Sequence, residues 1–282
     1  MVTPDAKRKA VKHLQEHFGQ SRRRICKLVG LSPSTWHYRL KPDDNPPIRD
    51  RLRELAGERR RWGYRKMHEI LRREGIIINH KRTEKLYREE CLQLKTRRRK
   101  KTTATLRVPL PYPENMNQRW AMDFMSDNLA NGRKIRLLNI LEVFTKESLA
   151  MVVDTSINGM RVSQVLDQLS WMRGLPEVIT VDNGPEFAGK VLDSWAYRNG
   201  VKLDFSRPGK PVDNAFIESF NRIARDECLN DNWFLSLDHA KKIIEEWQYD
   251  YNNNRPHSAL SGLTPVEFAA QFEENFQLQV LQ

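Results

Sequence analysis

The stretch Val178-Ile-Thr-Val-Asp-Asn-Gly-Pro185 decides the fold. Val, Ile, Thr and Val form a short β-like run. Asp182-Asn-Gly-Pro-Glu186 is a turn that opens toward a helix start. An acid therefore stands at the end of a strand, and in α/β sheets the crevice beyond strand ends is where sites form. Two more acids have telling surroundings. Asp123 lies inside the apolar run Trp120-Ala-Met-Asp-Phe-Met125, and Glu218 lies on the helix-like stretch Asn214-Ala-Phe-Ile-Glu-Ser-Phe220. Between Asp123 and Asp182 there are 58 residues, and between Asp182 and Glu218 there are 35.

Spacing alone is a weak signal in a chain with 36 acids. Each acid also has an ordinary reading. Asp182 suits a turn former, and Glu218 with Arg222 at i+4 suits a helix ion pair. Asp123 suits an outward strand position, with Asp127 as its nearest rival. Context favours the joint reading, because an acid among apolar residues needs a partner or a metal. Three carboxylates brought together can hold two Mg²⁺ ions roughly 4 Å apart, suited to in-line displacement at a phosphodiester. Hard oxygen ligands select Mg²⁺, with Mn²⁺ as substitute. Arg222 and Arg225 share the helix face of Glu218 and suit DNA phosphate.

The elements around these acids alternate. Strands are expected at 119–127, 134–144, 147–154, 177–181 and 201–205. Helices are expected at 163–173, 187–199, 211–229 and 239–251. Three early antiparallel strands followed by βα alternation predict an α/β fold, a mixed sheet with helices on its faces. Trp171, Trp195 and Trp247 are expected in its core.

The first part of the chain is different. Residues 1–110 hold 31 Lys and Arg against 12 Asp and Glu, whereas residues 111–282 hold 17 against 24. A basic part beside a mildly acidic one predicts a nucleic-acid-binding arm. A helix at 5–18, with Ala10, Val11, Leu14 and Phe18 on one stripe, precedes a helix-turn-helix pattern at 21–38. A second pair is expected at 63–75, with Met67, Ile70 and Leu71 inward, and at 79–90. Lys81, Arg82, Lys85 and Arg88 on the latter, and Arg97, Arg98 and Arg99 beyond it, are candidate phosphate contacts. Pro109, Pro111 and Pro113 mark an extended tether. The expected organisation is a basic helical DNA-binding region at 1–101, a linker at 102–118, a catalytic core at 119–270 and a tail at 271–282.

Other features bound the answer. No apolar run approaches the ~20 residues of a membrane span, and no apolar stretch follows the charged N-terminus as a secretory signal would require. Three scattered cysteines argue against a disulfide framework and for a reducing cytoplasm. His13 and His17 lack the Cys pair that a structural zinc site needs. His257 suits either a DNA contact or a turn.

Together, Asp123, Asp182 and Glu218 in these contexts resemble the signature of the DDE transposase and retroviral-integrase superfamily. The 35-residue gap and Arg225, seven residues after Glu218, match its pattern. The likeness is greatest to second-frame (OrfB) transposases of bacterial insertion sequences, through Trp247-Gln-Tyr-Asp-Tyr-Asn252 and Arg255-Pro-His-Ser-Ala-Leu260. The sequence departs from that family at Glu142-Val143, where Asp-Asp is frequent, and at Phe220-Asn-Arg-Ile223, where Phe-Asn-Gly-Arg is frequent. The resemblance implies an RNase H-like core and Mg²⁺-dependent cleavage of DNA. It also implies joining of a 3′-hydroxyl to double-stranded DNA by Asp123, Asp182 and Glu218. It implies a bacterial, nucleoid-associated protein, a homo-oligomer on DNA, and an upstream-frame (OrfA) polypeptide as fusion or partner. The alternatives are a non-catalytic DNA-binding regulator and an RNase H-like nuclease without strand transfer.

Overall fold

A computed structural model describes residues 3–38, 45–95, 112–207 and 214–280, the last five as helix backbone only. Arg97, Arg98, Arg99 and most of the expected linker lie outside the described residues. The chain divides into two compact units, Met1–Ile48 and Arg49–Gln282.

The first unit contains α1 (Pro4–Phe18), α2 (Arg22–Val29) and α3 (Pro33–His37). Thr3 caps α1 by accepting from the Ala6 amide at 3.3 Å, and Gly30 closes α2 in the left-handed region at φ 62°. Val11, Ile25, Cys26 and Leu31 form a small core with Leu14 and Trp36 packed against it. Of the expected α1 stripe, Ala10 and Phe18 are exposed. Two short helices cover only the Val11 and Leu14 side of α1, so Ala10 beside it and Phe18 at its end stay outside.

The second unit begins within α4 (Pro46–Glu58), followed by α5 (Tyr64–Arg73) and α6 (His80–Glu89). Asn79 caps α6 by accepting from the Lys81 amide at 2.9 Å. The buried face of α5 is Met67, His68 and Leu71. Ile70, expected inward, is only half-buried, and His68 takes its place by pairing with the Thr83 hydroxyl at 2.9 Å. The sequence reading missed α4, whose buried positions are only Leu52 and Leu55 in a run of charges.

The sheet follows: β1 (Arg119–Asn128), β2 (Lys134–Glu142), β3 (Ser148–Asp154), α7 (Gly159–Arg173), β4 (Val178–Val181), α8 (Lys190–Asn199) and β5 (Lys202–Phe205). Strand order is β3-β2-β1-β4-β5. β1–β2 and β2–β3 are antiparallel, and β1–β4 and β4–β5 are parallel. This is the expected mixed, RNase H-like sheet. Strand alternation sends Trp120 and Met122 to the face covered by α7 and α8, with Trp195 and Leu166. It sends Ala121 and Met125 to the face covered by α9 (Ala215–Glu227) and α10 (Leu237–Asn253), with Phe220 and Ile244. The chain ends in α11 (Pro265–Val280), a helix not expected from the sequence.

Two details differ from expectation. Trp171 is 89% exposed rather than in the core, because α7 buries Val162, Val165, Leu166 and Leu169 and leaves that flank uncovered. The helix after Asp182 starts at Lys190, not Phe187, and Phe187 instead plugs the second core from the preceding turn.

One carboxylate joins the helical part of this unit to the sheet part. Glu227, at the end of α9, accepts from Trp62 Nε1 at 3.2 Å, from Lys66 Nζ at 2.7 Å, and from Arg255 Nε and Nη2 at 2.8 Å each. Burial pushes its pKa up, but the Arg255 and Lys66 cations outweigh that and hold it at about 2. Arg59 adds a bidentate pair to Asp250 on α10 at 2.7 and 2.5 Å. Arg73 reaches Glu267 on α11 at 2.7 Å. Replacing Glu227 by Gln leaves Arg255 and Lys66 charged and half-answered. Breaking a buried pair in this way costs about 3–5 kcal/mol. Urea unfolding at pH 7 should show a loss of that order, and an unchanged midpoint would refute the role given to Glu227.

Candidate active site

Asp123 is placed by strand geometry. It sits mid-way along β1, the central strand, on the face covered by α9, directly opposite Asn139 of β2. Its Oδ1 accepts from the Phe124 amide at 2.8 Å and its Oδ2 from Asn221 Nδ2 at 2.7 Å. Asn221 Oδ1 in turn accepts from Asn139 Nδ2 at 2.7 Å. Asn139 is fully buried, and its own Oδ1 has no partner. Asp182 follows the last residue of β4, which pairs in parallel with β1, so the acid emerges beside Asp123. Its Oδ1 accepts from the Gly184 amide at 2.9 Å. That contact is close: a Cβ on Gly184 would stand 2.9 Å from the same oxygen, so the turn needs glycine there.

Glu218 lies on the first turn of α9, three residues before Asn221, and is exposed. It makes no hydrogen bond or ion pair among the described residues, so the alternative of a helix ion pair with Arg222 is not formed. Arg222 is exposed. Arg225 is tied to β1, donating to the Ser126 carbonyl at 2.9 Å and standing 3.8 Å from Asp127. Asp127, the rival of Asp123, thus lies with this arginine.

Burial above all, helped by the charges of Asp182 and Glu218 and opposed by the Phe124 and Asn221 hydrogen bonds, raises the Asp123 pKa to about 6. The three acids are therefore in electrostatic reach of one another. Among the described residues no three His, Cys, Asp or Glu side chains already stand as a ready ion site, and both oxygens of Asp123 accept hydrogen bonds. The chemistry of the set still fits a divalent cation: all donors are hard carboxylate oxygens, and the mutual repulsion that raises Asp123 is what a cation relieves.

On α6, Lys81, Arg82, Lys85 and Arg88 are all exposed. Lys85 pairs with Glu89 at 3.7 Å and Arg88 with Glu84 at 2.6 Å. His257 is buried: its ring meets Tyr251 edge-on at 4.8 Å, and burial lowers its pKa to about 3. It belongs to the packing behind Arg255, not to an exposed contact.

The comparisons agree with this geometry. Residues 113–211 and 199–265 match two families described as integrase core domain, and residues 43–100 match an HTH-like domain. The chain is 48% identical over 259 residues to the insertion element IS407 uncharacterized 31.7 kDa protein of Burkholderia multivorans, spanning 92% of this chain and 94% of that protein. It is 28% identical over 263 residues to the putative transposase InsK for insertion sequence element IS150 of Escherichia coli, spanning 88% and 93%. The chain belongs to the insertion-element transposase family, with an integrase core. A further relative of this transposase is the insertion element IS476 uncharacterized 39.2 kDa protein of Xanthomonas euvesicatoria, 40% identical over 96% of this chain and 79% of that protein. Among solved structures, the HTLV-2 integrase catalytic core domain in complex with magnesium aligns at 19% identity and TM-score 0.45, over 54% of this chain and 96% of that one.

Sequence reading of the transposase missed Asn139, Asn221 and Glu227. Asn139 carries a signal in hindsight, as a polar residue at a buried position of Leu137-Leu-Asn-Ile-Leu141. A carboxyl whose pKa rises on folding destabilises the native state once it ionises. The native advantage of protonated Asp123 is full below about pH 4 and lost as pH rises through about 6. Asp123→Asn should therefore leave thermal stability unchanged at pH 4. In EDTA at pH 7.5 it should raise stability by up to about 3 kcal/mol, taking about 1.4 kcal/mol per pH unit. Melts at the two pH values check this; an equal effect at both would refute it.

Proposed function

We propose that Asp123, Asp182 and Glu218 are the catalytic and metal-holding residues of this transposase, acting at the ends of its element. The observation that carries the reading is geometric: Asp123 on the central strand β1, Asp182 just past the end of the adjacent parallel strand β4, and Glu218 on the first turn of α9, the helix whose Asn221 holds Asp123. Divalent ions, Mg²⁺ or Mn²⁺, would be held by these carboxylates and would supply an activated attacking oxygen and a stabilised leaving oxygen. In cleavage, a water oxygen bonds to phosphorus and the bond from phosphorus to O3′ breaks, leaving a 3′-hydroxyl. In joining, that hydroxyl bonds to a target phosphorus, and the target's own P–O3′ bond breaks.

The chain's residues have separate parts in this. Asp123 is fixed by the central strand and by Asn221, so it sets the position of the site. Asp182 rides on a turn and Glu218 on a solvent-facing helix turn, where each can adjust. The basic region before residue 102 binds double-stranded DNA through exposed cations such as Lys81 and Arg82, and the core from 119 to 270 does the chemistry. A homo-oligomer on DNA, association with the nucleoid and an upstream-frame polypeptide complete the reading. Among the described residues no helix is long and apolar enough to cross a membrane.

Labelled DNA carrying the element ends, incubated with Mg²⁺ or Mn²⁺, tests it. The protein should nick the ends and give joined products. Glu218→Gln should lower both by at least about a thousandfold, in line with the several kcal/mol that metal-assisted charge stabilisation contributes, while DNA binding persists. Nicks without joining would indicate a nuclease. Binding without nicks, unchanged after fusion of the upstream frame, would indicate a regulator.

A further inference from the structure

Beside α9 lies a cleft of about 940 Å³, walled by α5 and α6 on one side and by α9 and the 255–262 loop on the other. We propose that this cleft binds single-stranded DNA, the unpaired nucleotides beside a cleaved end, with Lys146 and Arg65 on phosphate and Tyr64 against a base. The proposal rests on the reading of the chain as a transposase, which creates such an end.

Charge points to an anion. Arg65, Lys66, Lys146, Arg222 and Arg255 line the cleft, against Glu69 as its acid. Lys66 and Arg255 are answered by Glu227 from behind. Arg65, Lys146 and Arg222 form no ion pair among the described residues, and they are the cations left for a ligand. The volume of about 940 Å³ matches a few nucleotides of one strand.

Lys146 is the most informative of them. It sits in the turn between β2 and β3 at φ 63°, a left-handed conformation in which glycine would be unstrained. Backbone strain of this kind is kept where a side chain has a task. Its amine stands 4.5 Å from the centre of the Phe216 ring and 4.6 Å from that of Tyr112. Burial lowers its pKa to about 8, and the Glu142 charge counters only part of that. A phosphate would supply the missing counter-charge.

The other wall offers an aromatic. Tyr64 is half-buried, with the Arg65 guanidinium 6.0 Å from its ring. A basic groove with aromatic faces is the general means of holding single strands without base preference. The path from the active site is short: Arg222 lines the cleft one helical turn after Glu218. A strand peeled from the scissile end would pass Arg222 around α9.

The test uses the full chain and a fluorescent pentathymidylate bearing one 5-iodouracil. It is done in EDTA with excess unlabelled blunt duplex to occupy the basic arm. Wild type should bind the oligonucleotide and crosslink to it at Tyr64. Tyr64→Ala and Lys146→Gly should each weaken binding at least tenfold. Lys146→Gly relieves the strained turn, so its melting temperature should not fall. Lys146→Arg should retain binding. Undiminished binding by Lys146→Gly, or crosslinks confined to residues outside the cleft, would overturn the proposal. The strand-transfer assay on element ends separates the two readings. Oligonucleotide binding that depends on Lys146, without any transfer, overturns the transposase chemistry and leaves the cleft standing; transfer without such binding does the reverse.

Discussion

The helical and sheet parts of the larger unit meet on one largely buried carboxylate, Glu227. It closes α9, the helix that carries Glu218 at its other end, and it gathers donors from Trp62, Lys66 and Arg255. Such a group is costly to desolvate and stable only because every oxygen is answered, two of the contacts coming from one planar guanidinium. The geometry is demanding in a way that apolar contact is not. An apolar interface between α5 and α9 would permit sliding, whereas a forked arginine and an indole N–H on one carboxylate fix direction and register. The position of Glu218, and the width of the cleft beside it, follow from that constraint.

The second constraint is the chain of amides under Asp123. Asn139 is opposite Asp123 across the β1–β2 ladder, and Asn221 spans the two from α9. An amide both donates and accepts, so Asn221 can link an acid to another amide with no net charge. Asn139 has one buried oxygen without a partner, an expense that apolar packing would avoid. What it provides is a fixed rotamer for Asn221 and therefore for Asp123. The same strand period that hides Trp120 and Met122 on one face forces Asp123 onto the other, so the site is a consequence of the sheet's alternation.

Much of this was legible in the sequence. The five strands, the helix after each parallel crossover and the three acids could be read because each rests on local chemistry: a β-branched run, a turn with Asn-Gly, a helix stop at glycine. What could not be read rests on distance. Arg59 and Asp250 are 191 residues apart, and nothing local in Arg255-Pro-His announces that its arginine meets Glu227 or that its histidine is buried against Tyr251. The helix α4 escaped notice because its stability comes from arginine pairs such as Arg49 with Glu90 at 2.7 Å rather than from an apolar stripe. Trp171 misled for the opposite reason, since an aromatic on a helix is in the core only if something covers that flank.

The candidate site is a place where local stability is given up. Three acids converge on a half-buried position, and the first of them titrates near pH 6 because burial and its neighbours both oppose its charge. At neutral pH that carboxyl is ionised against the preference of its surroundings, restrained by two hydrogen bonds that cannot cancel the repulsion. A fold selected only for stability would place an amide or an aliphatic residue there, as proteins generally gain stability when such sites are neutralised. The unrelieved negative charge on the central strand, with an acid on either side, is what the proposed binding of a divalent cation would relieve. Neutral supporting amides suit that proposal: a lysine or arginine at Asn221 would satisfy Asp123 permanently and leave a cation nothing to relieve.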